Sequence, residues 1–330
     1  MLLVTGAQVN QVYTMADAVA ATERAFILYS QRKCDTPLRV CLQVGSHGST
    51  LFMPACTDAG AGVKVVSVRP DNRKKGLPVV PATYLDINGE TGVIQGLIDG
   101  VALTYLRTGA VSGVAAKYLA RPDSKTMLVC GSGMQGRAAI EAIMCTCPMI
   151  QTIRLFDGMM ERAQELAEWV RKTYSERKLE VIGELSSYET ITRHVPEADI
   201  IVTVTTSREP LFDGATVRPG TFVSCVGAYL PDCREVDTAL IRRARVYVDT
   251  REGVLNEAGD LIIPITEGAF TADAVVGEIG EVASGVVPSR QTPEEIIVFK
   301  TTGSAIQDLT VGHEIYERAR AAGVGTNIDM

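Results

Sequence analysis

Three glycines follow a short apolar run near the middle of this 330-residue sequence. The run from Met127 to Cys130 is typical of a buried strand, and residues with helical periodicity follow Gly131, Gly133 and Gly136. Gly131 suits a tight turn, Gly133 the close approach of a pyrophosphate, and Gly136 the packing of a helix on a strand. The pattern therefore predicts that a dinucleotide binds where this strand ends and the helix begins.

A carboxylate follows the next predicted strand, residues 152–156. Asp157 stands roughly 20 residues after Gly136, the spacing at which an acidic side chain accepts hydrogen bonds from ribose hydroxyls. Its charge would repel a 2′-phosphate, so the sequence favours NAD(H) over NADP(H). The alternative is that Asp157 only caps the helix expected over residues 159–172.

Three cations lie beside or within apolar stretches in the first third of the chain. Lys64 stands inside the apolar run 62–68, where burial of an unpaired ammonium would be costly. Arg107 interrupts a helical stretch of small and apolar residues, and Arg39 begins another predicted strand. Arginine and lysine together can clamp a carboxylate, so the pattern indicates a small acid that carries an amine or imine. The alternative for Lys64 is an edge strand from which its ammonium reaches solvent.

The elements around these residues predict two kinds of sheet. Up to about residue 118, a helix and several short strands, with a hairpin turn at residues 88–91, favour an α+β arrangement and a mostly antiparallel sheet. From Lys125 onwards the pattern predicts a doubly wound parallel sheet of the Rossmann type, with helices between its strands. Six strands are predicted there, at residues 126–130, 152–156, 179–182, 199–204, 221–226 and 245–249. A strand at 295–300 and a helix at 304–322 follow.

Composition excludes several classes of protein. The net charge of −7 and a pI near 5.2 argue against a nucleic-acid partner. No apolar run is long enough to span a membrane and no targeting signal is visible, so a cytoplasmic location is expected. The eight cysteines and three histidines lack the clustered spacing of a zinc site, and no metal is predicted.

The order of several short motifs resembles the ornithine cyclodeaminase/mu-crystallin family over nearly the whole chain. These motifs occupy residues 62–64, 76–78, 106–110, 115–119, 131–136, 207–210, 227–237, 299–303 and 307–309. The resemblance implies a Rossmann domain for NAD at residues 119–304. It also implies a substrate-binding and dimerisation domain at residues 1–118 with 305–330, and a homodimer.

The resemblance also implies roles for individual residues. Lys64 and Arg107 would bind the substrate carboxylate, with Arg39 as a third cation. Lys64 or Tyr229 would transfer the proton in the reaction. The residues implied in cofactor binding are Gly131, Gly133, Met134, Gln135, Gly136, Asp157, Thr205, Ser207, Val226 and Gly227.

Departures from the family pattern favour one activity among several. Tyr229 and Cys233 stand where cyclodeaminases carry an aspartate and a lysine, and nearby Asp232 is expected to cap a helix. We therefore expect an oxidoreductase that reduces ketimines such as pyrroline- or piperideine-2-carboxylate. Ornithine cyclodeaminase, alanine dehydrogenase and a non-catalytic ligand-binding protein of the crystallin type remain alternatives.

Overall fold

The computed structural model describes residues 1–329. The chain forms two compact units, one of Met1–Thr108 with Gly303–Met330 and the other of Gly109–Thr302. In the described part of the chain, no helix has both the length and the apolar character needed to cross a membrane. The domain boundaries and roles expected from the sequence stay predictions.

The strands are numbered along the chain. They are β1 (Leu2–Val4), β2 (Val40–Gln43), β3 (Ser49–Thr57), β4 (Gly60–Val68), β5 (Ala82–Asn88), β6 (Ile94–Asp99), β7 (Thr126–Cys130), β8 (Thr152–Asp157), β9 (Glu180–Leu185), β10 (Ile200–Thr203), β11 (Phe222–Cys225), β12 (Arg245–Val248), β13 (Val275–Glu278), β14 (Ile297–Lys300) and β15 (Thr326–Asn327).

The helices are numbered in the same way. They are α1 (Gly6–Val12), α2 (Met15–Ser30), α3 (Gly100–Leu119), α4 (Met134–Thr146), α5 (Met160–Thr173), α6 (Tyr188–His194), α7 (Thr238–Arg243), α8 (Arg251–Glu257), α9 (Gly259–Thr266), α10 (Ile279–Ala283) and α11 (Ala305–Ala321).

The first unit is built on a sheet with the order β15-β1-β6-β5-β4-β3-β2. Its pairs are antiparallel except for β1 with β6, as the sequence pattern predicted. Burial alternates along β3 and β4, because successive side chains of a strand point to opposite faces. Residues from β3, β4, α2 and α11 form the hydrophobic core of this unit, among them Leu51, Met53, Val66 and Leu309.

The second unit is built on a parallel sheet with the order β13-β12-β14-β11-β10-β7-β8-β9. Strands such as β10 and β11 are buried along their whole length, as expected when helices cover both faces. The predicted Rossmann-type architecture is confirmed. Two strands extend it beyond the six predicted ones: β14, foreseen at residues 295–300 but not placed in this sheet, and β13, which sequence analysis missed.

Small residues bring α3 and α4 into close contact within the second unit. A Cβ atom built on Gly109 would lie 2.5 Å from the carbonyl oxygen of Ala138, and one on Gly113 would lie 2.8 Å from that of Ala142. The two glycines therefore let the helix backbones approach to a distance that no side chain allows.

We predict that Gly113→Ala destabilises the protein although alanine is the better helix former. On an open helix surface the change would stabilise by about 1 kcal/mol. Here the new methyl group meets backbone, so we expect the free energy of unfolding to fall by ~1–3 kcal/mol in a denaturant titration. Gly158→Ala is the matched control, because nothing lies within 4 Å of its added Cβ. Equal stability of the two variants would contradict the close packing.

Candidate functional site

Lys64 lies on the covered face of β4 and is fully buried. Its Nζ donates a hydrogen bond to Oδ1 of Asp308 over 2.8 Å, and Asp308 lies in the first turn of α11 with 1% of its side chain exposed. The alternative of an ammonium that reaches solvent is therefore wrong, and the predicted contact of Lys64 with a substrate carboxylate stays a prediction.

Arg107 reaches the same carboxylate from α3. Its Nε lies 3.0 Å from the Asp308 Oδ1 that also accepts from Lys64, and only a tenth of its side chain is exposed. Its carbonyl oxygen accepts a hydrogen bond of 3.0 Å from Nε2 of Gln307, the residue before Asp308. One carboxylate oxygen thus holds two cations that come from different elements.

Arg39 joins this group through the loop before α11. Its Nη2 donates to the carbonyl oxygen of Gly303 over 3.0 Å. Gly303 has φ +80°, and a Cβ there would lie 2.5 Å from Nη1 of Arg107. Glycine at this position therefore lets one stretch of backbone pass close to both arginines. We call Arg39, Lys64, Arg107 and Asp308 the cation cluster.

The charges of the cation cluster do not cancel. The pKa of Lys64 is lowered to about 7 as the net result of opposing effects: burial lowers it most, Arg107 also lowers it, and Asp308 raises it. Tyr84, which is paired with Lys64 in the register of β4 and β5, stays neutral because burial raises the pKa of its phenol well above the usual value. With Lys64 protonated, two cations, Lys64 and Arg107, share one carboxylate, so the cluster can bind a further anion such as a carboxylate.

The glycine loop lies between β7 and α4 in the second unit. Gly131 has φ +107°, and its added Cβ would lie 2.6 Å from the carbonyl oxygen of Val204. One on Gly136 would lie 2.0 Å from the oxygen of Gly131, whereas nothing lies within 4 Å of one on Gly133. The fold itself thus requires two of these glycines. At the third, space remains open at the N-terminus of α4, which fits an approaching pyrophosphate.

Asp157 ends β8 next to this loop. Its Oδ2 accepts a hydrogen bond of 2.9 Å from the Ser132 N–H, and its Oδ1 accepts one of 3.0 Å from Met159. The N-cap of α5 is Met159, so the alternative that Asp157 caps this helix is wrong. The carboxylate is half-buried at the strand end where the ribose hydroxyls were predicted, and its contact with ribose stays a prediction.

Glu235, which sequence analysis missed, ties together two predicted cofactor loops. Its fully buried carboxylate accepts hydrogen bonds from Thr203 Oγ1 at 2.9 Å and from the backbone N–H groups of Thr205 at 2.6 Å and Gly227 at 2.7 Å. Ser207 N–H in turn donates to Thr205 Oγ1, and Val226 N–H to the Thr203 carbonyl oxygen. The loops after β10 and β11 are thereby held side by side.

A second buried ion pair supports Glu235. Its N–H donates to Asp260 Oδ1 over 2.7 Å, and Asp260 Oδ2 lies 2.8 Å from Nζ of Lys300. Burial raises the pKa of the Glu235 carboxyl group. For Lys300, burial alone would lower the pKa, but the carboxylates of Asp260 and Glu235 have the larger effect and raise it. Lys300 could have been found from the sequence by the same signal as Lys64, because both are lysines within apolar strands.

The remaining predicted residues lie at exposed positions or in loops. Met134, the first residue of α4, is 47% exposed, and Gln135 follows it. Tyr229 lies in the loop after β11 with 37% of its surface exposed. Asp232 pairs with Arg208 on the surface and caps no helix, because Asp237 is the N-cap of α7. The expectation for Asp232 was wrong.

Comparison with known proteins identifies relatives over the whole chain. A Delta(1)-pyrroline-2-carboxylate reductase of Bacillus cereus (strain ATCC 14579) is 33% identical over 100% of both chains. A solved structure of the Delta(1)-pyrroline-2-carboxylate reductase of Thermococcus litoralis, in complex with NADH and L-proline, is 37% identical with a TM-score of 0.93, covering 99% of this chain and 100% of that one.

A further structure, an archaeal alanine dehydrogenase dimer with bound NAD, is 32% identical with a TM-score of 0.91, over 100% of this chain and 99% of that one. The sequence profile of the ornithine cyclodeaminase/mu-crystallin family matches residues 1–323. The resemblance seen in the motifs is thus confirmed, and the chain belongs to the ornithine cyclodeaminase/mu-crystallin family.

Proposed function

We propose that this protein is an NAD(H)-dependent reductase of small cyclic 2-imino acids, with pyrroline- and piperideine-2-carboxylate as substrates. The observation that carries the proposal is the buried cation cluster, in which Lys64 and Arg107 share one oxygen of Asp308 and leave positive charge unmatched. The similarity to two pyrroline-2-carboxylate reductases over the whole chain supports the choice of substrate.

In this reaction the cation cluster binds the substrate through its carboxylate. Arg107, Lys64 and Arg39 offer N–H donors to the two oxygens, and their charge compensates the anion in a buried setting. Lys64 has a second role as the proton donor, because an ammonium with a pKa of about 7 gives up its proton readily near neutral pH. The imine nitrogen takes this proton and its carbon becomes electrophilic.

NADH, when bound, supplies the hydride that completes the reduction of the C=N bond to an amine. The residues that would hold it are those of the glycine loop, Asp157 for the ribose, and the loops after β10 and β11 that Glu235 holds together. The carboxylate of Asp157 would repel a 2′-phosphate, which supports NAD(H) over NADP(H).

Alanine dehydrogenase is the second candidate, favoured by the archaeal relative at 32% identity. It needs the same carboxylate contacts and the same cofactor, and differs in the side chain that the substrate presents. Cyclodeamination is less well supported. Tyr229 is a phenol where the cyclodeaminase pattern has a carboxylate, and burial raises the pKa of the Cys233 thiol, which stands where that pattern has a lysine.

We also propose that two copies of the chain pair through the outer face of the seven-stranded sheet. While α2 and α11 cover the inner face, the half-buried side chains of Phe52, Val63, Val65, Leu85 and Leu97 form a contiguous apolar area on the other. An apolar sheet face of this extent is typical of a protein interface. The alanine dehydrogenase relative is itself a dimer.

The reductase assay follows absorbance at 340 nm with purified protein, NADH and pyrroline-2-carboxylate. We expect rapid loss of NADH, and a fall in kcat/KM of at least roughly 10- to 100-fold in Lys64→Met, because a charged donor is removed while the apolar stem remains. Lys172→Met, at an exposed position of α5, is the control and should react like the wild type.

Other results of the same assay would assign other activities. Ammonia and proline formed from ornithine with catalytic NAD, without loss of NADH on the imine, would establish the cyclodeaminase. NADH formed from alanine and NAD, again without imine reduction, would establish the dehydrogenase. Either result would overturn the proposed reductase.

We predict that Gly133→Ala weakens NADH binding without loss of stability. The added methyl group meets no protein atom within 4 Å, so the free energy of unfolding should stay within about 0.5 kcal/mol of the wild type. It fills the space proposed for the pyrophosphate, so we expect the Kd for NADH, followed by fluorescence titration, to rise at least about tenfold. An unchanged Kd would show that the phosphates bind elsewhere.

We predict that Val63→Glu converts the dimer to a monomer. A carboxylate in the centre of the apolar face would lose its hydration on pairing, at a cost that an interface of this kind does not offset. Sedimentation velocity should then report one chain of 35.4 kDa, whereas we expect the wild type to sediment as twice that mass. Val286→Glu, at a position that is 74% exposed in the second unit, should leave the dimer intact. A dimeric Val63→Glu variant would place the interface elsewhere.

A further inference from the structure

Asp308 is the anion on which two of the three candidate substrate-binding cations depend. Its Oδ1 lies 2.8 Å from Nζ of Lys64 and 3.0 Å from Nε of Arg107, and its side chain is 1% exposed. Its Oδ2 is buried without a hydrogen-bond partner among residues 1–329. Because no backbone N–H of the described residues donates to this carboxylate, its charge acts mainly on the two cations.

The surroundings of Lys64 would otherwise favour a neutral amine. Arg107 faces it from α3 and Arg39 from the segment before β2, and both repel an ammonium. From β5 the phenol of Tyr84 carries no charge, and from β3 the register partner is Met53, which cannot ionise. Asp308, on α11, is therefore the group that offsets both burial and the repulsion by two arginines.

We propose that Asp308 is a positioning residue that holds Lys64 and Arg107 on a shared oxygen and so keeps them in the geometry and charge state that the substrate acid requires. This inference rests on the proposed function. Without this carboxylate, three cations would crowd one buried region, and Lys64 would lose its proton because it is the group among them that deprotonates most easily. The cluster would then lack its proton donor at neutral pH.

A purely structural role would have a different consequence. If Asp308 served only to compensate buried charge during folding, its replacement would lower stability or reduce activity by the same factor at every pH. A role through Lys64 changes the shape of the pH profile, since an opposite charge within hydrogen-bond distance typically changes a pKa by about 1–3 units. The pH profile therefore separates the two roles.

The test compares Asp308→Asn, which keeps the shape and removes the charge, with Asp308→Glu, which keeps the charge. In the wild type, kcat/KM for pyrroline-2-carboxylate should fall as the pH rises through about 7, because Lys64 loses its proton there. In Asp308→Asn this fall should begin about 1–3 pH units lower, with a loss of at least roughly tenfold at pH 7.5 that shrinks at pH 5.5.

Asp308→Glu should keep the wild-type position of this fall, with a lower kcat from the displaced carboxylate. It also keeps the test decisive if Asp308→Asn does not fold. Two results would overturn the proposal. In the first, kcat/KM of Asp308→Glu falls at a pH as low as that expected for Asp308→Asn. In the second, the pH profile of Asp308→Asn has the wild-type shape and is only lower at every pH. Binding of NADH serves as the control for the second unit and should not change in either variant.

A binding measurement without turnover separates this inference from the proposed function. Pyrrole-2-carboxylate, a planar acid that cannot accept hydride, is titrated calorimetrically between pH 5.5 and 9. Wild-type affinity should fall above pH 7, and the affinity of Asp308→Asn should fall at lower pH. A wild type that binds this acid but reduces no imine would refute the reductase alone. Identical pH dependence in the two proteins would refute the role of Asp308 alone.

Discussion

The first unit depends on one constraint, the desolvation of Lys64, Arg107 and Asp308. Moving a single unpaired charge into a protein interior costs several kcal/mol even after relaxation, so none of these side chains is stable there by itself. They come from β4, α3 and α11, and Lys64 and Asp308 are 244 residues apart in the chain. The face of the N-terminal sheet that carries Lys64 can therefore be buried only when α11 packs on it and brings Asp308 there.

The second unit also contains buried charges, but these stabilise the position of backbone loops. Lys300, Asp260 and Glu235 are also fully buried, yet there the carboxylates accept hydrogen bonds from several backbone N–H groups. Carboxylates that accept from backbone N–H groups fix loops in place, since these donors would be left unpaired if a loop moved. Among residues 1–329, the hydrogen bond that Asp308 accepts comes from a side chain, that of Lys64. The two networks thus differ in what they hold: backbone in one unit, side chains in the other.

The candidate site residues that the sequence singled out are those whose type conflicts with their surroundings. Lys64 in an apolar strand, Arg107 in a helix of small residues and the spaced glycines all stand out because local pattern alone makes them costly or unusual. Asp308 does not stand out, because an acidic residue in the first turn of a helix is favourable in any case. Glu235 lies in a loop, where carboxylates are ordinary. Their roles come from partners that only the tertiary fold brings near.

The misassigned elements have a similar cause. Asp237 directly precedes the first residue of α7 and caps it, whereas Asp232 lies too far before the helix to do so. The sequence alone does not show where the chain turns into α7, because the segment before it is held by a tertiary contact, the hydrogen bond from the Glu235 N–H to Asp260. The strand β13 escaped prediction because it is four residues long and carries Gly277, so its apolar run is too short to distinguish it from a loop.

The proposed role of the cation cluster is compatible with similarity to reductases and to a dehydrogenase alike. On that proposal Lys64 and Arg107 would recognise a carboxylate, which every 2-imino or 2-amino acid has, so they would contribute affinity without choosing among substrates. Choice then depends on apolar contacts beyond the carboxylate, where one methylene group is worth only about 1–3 kcal/mol. Such contacts change with single substitutions that leave a buried ion network intact. On this proposal, a change of substrate would need no change in the ion network of Lys64, Arg107 and Asp308.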